Sequence, residues 1–105
     1  MDSKIPPELL ALYRKSIPGK VADLKNLIDD LQKKRGKEEM EKLRFAVHKL
    51  AGNSGTYGFM EVSRLCREAE EKLGKMIAQG AIDSHWVQNL DQFLKGIEQG
   101  FEIDG

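Results

Sequence analysis

Apolar residues recur along this chain at helical spacing, and no segment shows the period-two alternation of a half-buried strand. A short first helix is predicted after Pro6-Pro7, with Glu8 in its first turn and Leu9, Leu10, Leu12, Tyr13 and Ile17 as its apolar residues. Proline suits the first helical position because its missing N–H would be unpaired there, and an acid suits the positive end of the helix dipole. Pro18 is expected to end this piece and open the next. There Val21, Leu24, Leu27, Ile28 and Leu31 mark one face, and Lys33-Lys34-Arg35-Gly36 reads as the stop.

A third helix is predicted from the acidic turn Glu38-Glu39, with Met40, Leu43, Val47, Leu50 and Ser54 on its buried stripe and Gly58 as its breaker. The fourth carries Val62, Leu65, Cys66, Ala69, Leu73, Met76 and Ile77 and stops at Gly80. Asp83 or Ser84 caps a fifth, which buries Val87, Leu90, Leu94, Ile97 and Phe101, with a loose end from Glu102 to Gly105. Four helices of roughly 16 to 20 residues, each about 25 to 30 Å long, joined by short loops, predict an all-α fold. The expected form is an antiparallel up-down-up-down four-helix bundle with an additional short N-terminal helix against one end.

Composition narrows the class. The 105 residues are enough for one domain spanning 1–105. Lysine and arginine total 17 and so do aspartate and glutamate, so the net charge is zero; no generic nucleic-acid binder is expected, since that needs a basic excess. The one cysteine, Cys66, excludes an internal disulfide and a Cys-x-x-Cys zinc site, which fits a reducing cytoplasm. No apolar run approaches the roughly 20 residues of a membrane span, and Met1-Asp2-Ser3-Lys4 carries neither a signal peptide nor a myristoylation glycine. A soluble cytoplasmic monomer is the expectation, and Met1 favours a freestanding chain.

A plain bundle leaves His48-Lys49-Leu50-Ala51-Gly52-Asn53-Ser54-Gly55-Thr56-Tyr57-Gly58-Phe59 unexplained. Helical glycines at 52 and 55 each cost about 1 kcal/mol relative to alanine, so something should offset them. On a helical wheel His48 stands one 100° step off the buried stripe, on the side of Glu41, Arg44, Phe45, Gly52 and Gly55. Side chains lean towards the helix N-terminus, so position 52 would cover His48 and position 51 would flank it. Both are minimal, and the imidazole is expected to be bare. A neutral imidazole nitrogen is a nucleophile able to accept and release a phosphoryl group. Arg44 and Lys49, with Lys42 a turn away, are candidate counter-charges.

The chain has no Walker loop, kinase glycine loop or nucleotide fingerprint, so a phosphoryl donor has to come from another protein. Glu-x-x-His pairs for a metal site are also missing. Bland readings stand beside these: Gly55 as close helix packing, Gly58 as a helix stop, His85 as a cap or packing residue, Cys66 as a buried thiol, and the Lys33 to Lys37 cluster as a solvated helix end. Tyr57 and Phe45 read either as core or as the apolar rim of a docking surface.

The run H-x-L-x-G-x-x-G-x-x-G from His48 to Gly58, followed by an aromatic, resembles the signature of histidine phosphotransfer (HPt) domains of bacterial and plant-type phosphorelays. The motif covers about a tenth of the chain, and the helical parse extends the resemblance over nearly all of it. The resemblance implies a four-helix bundle in which His48 takes a phosphoryl group from the aspartyl phosphate of one receiver domain and passes it to another. Gly52 matches the family glycine that makes room for the partner. Many members have lysine three residues after the histidine; here that position is Ala51, so Lys49 or Arg44 is expected to support the phosphate. The expected site is His48 with Arg44, Lys49, Ala51, Gly52 and Gly55. No metal or cofactor is expected on this chain, with Mg²⁺ coming from the receiver. Expected partners are a response-regulator receiver domain, a hybrid histidine kinase, or both. The rival reading is an HPt-like adaptor that binds a signalling partner without being phosphorylated, and it expects a buried His48 ring bonded on both nitrogens.

Overall fold

A computed structural model describes residues 5–103, and every regular element among them is helical: α1 (Pro7–Lys34), α2 (Lys37–Thr56), α3 (Met60–Gln79), α4 (Ser84–Gln88) and α5 (Leu90–Ile103). The readings of Met1 to Lys4 and of a loose Asp104 and Gly105 lie outside the described residues. Among those described, no helix is long and apolar enough to cross a membrane.

No separate N-terminal helix forms; residues 7–34 are one helix with Pro18 inside it. Proline removes the N–H that would bond the Arg14 carbonyl, a cost of about 3 kcal/mol in a helix interior. Arg14, Pro18 and Gly19 are all exposed, so the freed carbonyl has water. The apolar stripe Tyr13, Ile17, Val21, Leu24, Ile28, Leu31 does not shift at the proline. Each such side chain contributes about 1.5–3 kcal/mol when buried, so keeping Leu10, Tyr13 and Ile17 on the core outweighs the break.

The end of α1 also differs from the expected glycine stop. Arg35 adopts the left-handed conformation, φ 55°, while Gly36 is extended and precedes α2. The Arg35 side chain is tied down there, donating from Nη2 to Gln88 Oε1 at 2.7 Å and from Nε to its own helix end at Gln32 O.

The predicted fifth helix is interrupted. Asp83 caps α4, its carboxylate accepting from Trp86 N, and Asn89 then closes that turn with Nδ2 donating to His85 O at 2.8 Å. An asparagine side chain competes with the backbone for such carbonyls, so the chain restarts as α5 at Leu90. That helix runs to Ile103, which places Glu102 and Ile103 in regular structure rather than in a loose end.

Helix neighbours form a ring: α1 packs on α2 and α5, and α3 packs on α2 and α5. Opposite ends meet at each side of it. Tyr13 near the start of α1 meets Asn53 near the end of α2, Ser63 near the start of α3 meets Ala51, and Val62 meets Gly100 near the end of α5. The core enclosed by the ring includes Leu24, Ile28, Leu31, Leu43, Val47, Val62, Cys66, Leu73 and Ile97. One end is aromatic: Tyr13 stacks on Tyr57 with ring centres 4.3 Å apart, and Phe59 meets Phe101 edge-on at 5.1 Å.

Candidate functional site

Helix α2 buries Met40, Leu43, Val47, Leu50 and Ser54, as the periodicity predicts, and this fixes the rotation that turns His48 outward. The imidazole is 65% exposed. Its Nδ1 lies 2.7 Å from Oε2 of Glu70 on α3, a carboxylate that is itself largely covered. An ionised carboxylate only accepts, so the hydrogen of the neutral ring sits on Nδ1 and the lone pair on Nε2. That second nitrogen has no partner among the described residues.

Gly52 leaves the ring uncovered. A Cβ built there would meet nothing within 4 Å, so the position is open to solvent and has no packing reason to be glycine. Gly55 is different: it is half-buried where α2 packs on α3, which fits the close-packing reading. A Cβ at Gly55 would stand 3.1 Å from Ser63 Oγ, which marks a close approach of α2 and α3. Ser63 Oγ in turn donates to Ala51 O at 2.8 Å. Ala51 is only 4% exposed and belongs to the core, so it is not part of an accessible surface; its small size allows α3 to approach.

The two expected counter-charges flank the ring on different sides. Arg44 extends across α3, where its Nε would be 3.4 Å from a Cβ at Gly74. With Glu41, Phe45, His48 and Glu70 it lines a shallow hollow of about 220 Å³. Lys49 holds its ammonium 4.6 Å from the centre of the Phe45 ring, a cation–π contact on the outer face. Phe45 is 62% exposed and forms an apolar rim beside His48, whereas Tyr57 is committed to its stack with Tyr13.

The remaining singled-out residues have structural roles. Gly58 takes φ 91° at the end of α2, and Phe59 behind it is buried and donates N–H to Ser54 O at 2.8 Å. His85 is on the surface turn bonded by Asn89. Cys66 is buried, which pushes its thiol up to about 12 and makes it a poor nucleophile.

Glu70 is the site residue the sequence pattern did not single out, although a signal for it exists. Helices α2 and α3 fold back on each other about Phe59, so residues equally distant from it face each other: His48 with Glu70, Arg44 with Gly74 and Gly55 with Ser63. Counting eleven residues either side of the turn would have found the carboxylate.

No curated protein and no solved structure matches the chain significantly. The profile of the Hpt domain matches residues 8–100, a span that takes in the long α1, the His48–Glu70 pair and most of α5. An exposed histidine on a helical bundle, in a chain matched over nearly its whole length, leads to one conclusion: the protein belongs to the Hpt domain family, the phosphocarrier modules of histidine phosphotransfer in phosphorelays.

Proposed function

We propose that the chain carries a phosphoryl group on Nε2 of His48, taking it from the aspartyl phosphate of a receiver domain and delivering it to the aspartate of another. The observation that supports this reading is the ring itself, held through Nδ1 by Glu70 and bare at Nε2. In the transfer, the Nε2 lone pair attacks phosphorus, an Nε2–P bond forms, the acyl oxygen–phosphorus bond breaks, and aspartate leaves as carboxylate. The Nδ1 hydrogen stays where it is. The ring becomes a phosphorylated imidazolium whose positive charge lies against Glu70, and the same charge makes it a good leaving group for the return step.

Gly52 opens the approach to the ring, Phe45 gives the partner an apolar contact, and Arg44 and Lys49 offset charge at its two sides. The divalent cation that neutralises phosphoryl oxygens in this chemistry belongs, on this reading, to the receiver. The adaptor reading expects a buried ring bonded on both nitrogens, and the exposure of His48 counts against it.

Incubation with a phosphorylated receiver and Mg²⁺ tests the proposal. Acid-labile, alkali-stable phosphate should appear on the protein and be lost in His48→Gln. Equal labelling of that variant would refute the assignment.

A further inference from the structure

Two arginines on the α3 side of the His48 ring have no hydrogen bond or ion pair among the described residues: Arg44 and Arg67. The other three arginines are engaged. Arg64 binds Glu61 and Glu68, Arg35 binds Gln88, and Arg14 lies over the Phe59 ring. Arg44 and Arg67 share a groove of about 450 Å³ between α2 and α3 with Glu70, Glu71, Gly74, Lys75 and Ala78. Within it Glu71 is paired to Lys75, and Glu70 to His48.

Arg67 has a particular place. Its Nη2 stands 3.9 Å from where a Cβ of Gly55 would be, so the guanidinium rests on the Gly55 side of the ring, towards uncovered Gly52. The register that pairs positions 48 with 70 and 55 with 63 sets Arg67 level with Ala51, between the levels of Glu70 and Ser63. Arg67 is one helical turn, roughly 4.5 Å of rise, from Glu70, the residue that touches the ring. Arg44 lies along Gly74 on the opposite flank, and the Lys49 ammonium is on Phe45.

We propose that Arg67 binds the phosphoryl group on His48, its guanidinium moving along the α2–α3 groove from Gly55 to pair with the phosphoryl oxygens across Gly52. A guanidinium fork matches two phosphoryl oxygens at once, and an arginine already free of carboxylates gives up no ion pair to do so. It also offsets the repulsion between those oxygens and Glu70. This inference rests on His48 being the phosphorylated residue.

The test uses phosphoramidate, which needs no protein partner: Nε2–P forms as the phosphorus–nitrogen bond breaks and ammonia leaves. Phosphorus NMR then follows the second ionisation of the phosphoryl group against pH. Removing a paired cation should raise it by about one unit in Arg67→Ala, with Arg67→Lys in between and Arg64→Ala unchanged. Hydrolysis of the phosphohistidine should quicken in the same order. Arg67 is exposed and unbonded, so these variants keep the fold. Superimposable titrations of the wild type and Arg67→Ala overturn the assignment while His48 phosphorylation stands. Failure of the wild type to form phosphohistidine overturns both.

Discussion

Nδ1 of His48 and Oε2 of Glu70 meet at 2.7 Å across the α2–α3 interface, joining two residues that are twenty-two positions apart in sequence. The contact sets which nitrogen of the neutral ring carries hydrogen and places a carboxylate where the ring would become positive in the proposed transfer. Replacing Glu70 with alanine should slow phosphorylation of His48 on the order of 10-fold, about 1.4 kcal/mol in the barrier. Glu70→Gln keeps an acceptor but loses the charge, and should fall between. Nitrogen NMR of the imidazole should show the Nδ1–H tautomer weakened in Glu70→Ala; an unchanged tautomer and rate would remove Glu70 from the mechanism.

Gly52 separates stability from function. Because a Cβ there has open space, Gly52→Ala should stabilise the protein by about 0.5–1 kcal/mol in urea unfolding, the ordinary gain for a helix interior. Gly52→Gln should fold equally well yet accept phosphate poorly from a receiver, while small phosphoramidate still labels it. Transfer from a receiver at the wild-type rate would mean that the partner does not approach over this residue.

At Gly55 the opposite holds. Gly55→Ala pushes a methyl group to 3.1 Å from Ser63 Oγ and should cost about 1–3 kcal/mol, by overpacking and by disturbing the Ser63 bond to Ala51 O. Ser63→Ala removes the obstructing oxygen, so the double variant should be more stable than the sum of the single changes implies. Strict additivity in a thermal or urea double-mutant cycle would show that the two residues do not meet.

The hydroxyl of Tyr13 donates to Asn53 Oδ1 and is pushed up to about 12, first by burial and then by the nearby Cys66 and Tyr57. A phenol whose folded value is raised stabilises the fold fully below its unfolded value near 10, and that stability is lost as pH climbs from about 10 through about 12. Urea midpoints should therefore fall over this alkaline range, and fall less steeply in Tyr13→Phe. At neutral pH that variant should be weaker by about 1 kcal/mol for the lost hydrogen bond.

The stripes of α2 and α3 were legible because burial is periodic, and His48 stood out because two glycines sit beside it where helix propensity argues against them. Pro18 misled because propensity is local, whereas Tyr13, Ile17 and Val21 are held by residues far along the chain. Asn89 hid its break for a similar reason: a polar residue on an exposed face looks like solvent-facing helix until its side chain is seen on His85 O. Ala51 reads as cleared access and Gly55 as either a site residue or close helix packing; small residues serve both uses, and the position of Ser63 shows α3 coming close at both. Glu70 and Arg67 lie on a different helix from the motif, so a search along one helix could not reach them.

The Gly55–Ser63 contact and the Ser63 bond to Ala51 fasten α2 to α3 within about two helical turns of the His48–Glu70 pair. If the protein carries a phosphoryl group on His48, this fastening would leave it little freedom to change shape between loaded and empty forms. What it would offer a partner instead is a change of charge and of side-chain pairing at one spot on an unchanged helical frame, so a receiver would have to distinguish the two forms electrostatically and at short range. Traffic through such a protein would then be governed by relative phosphoryl affinities and by competition for one face, with no message passed through the bundle itself.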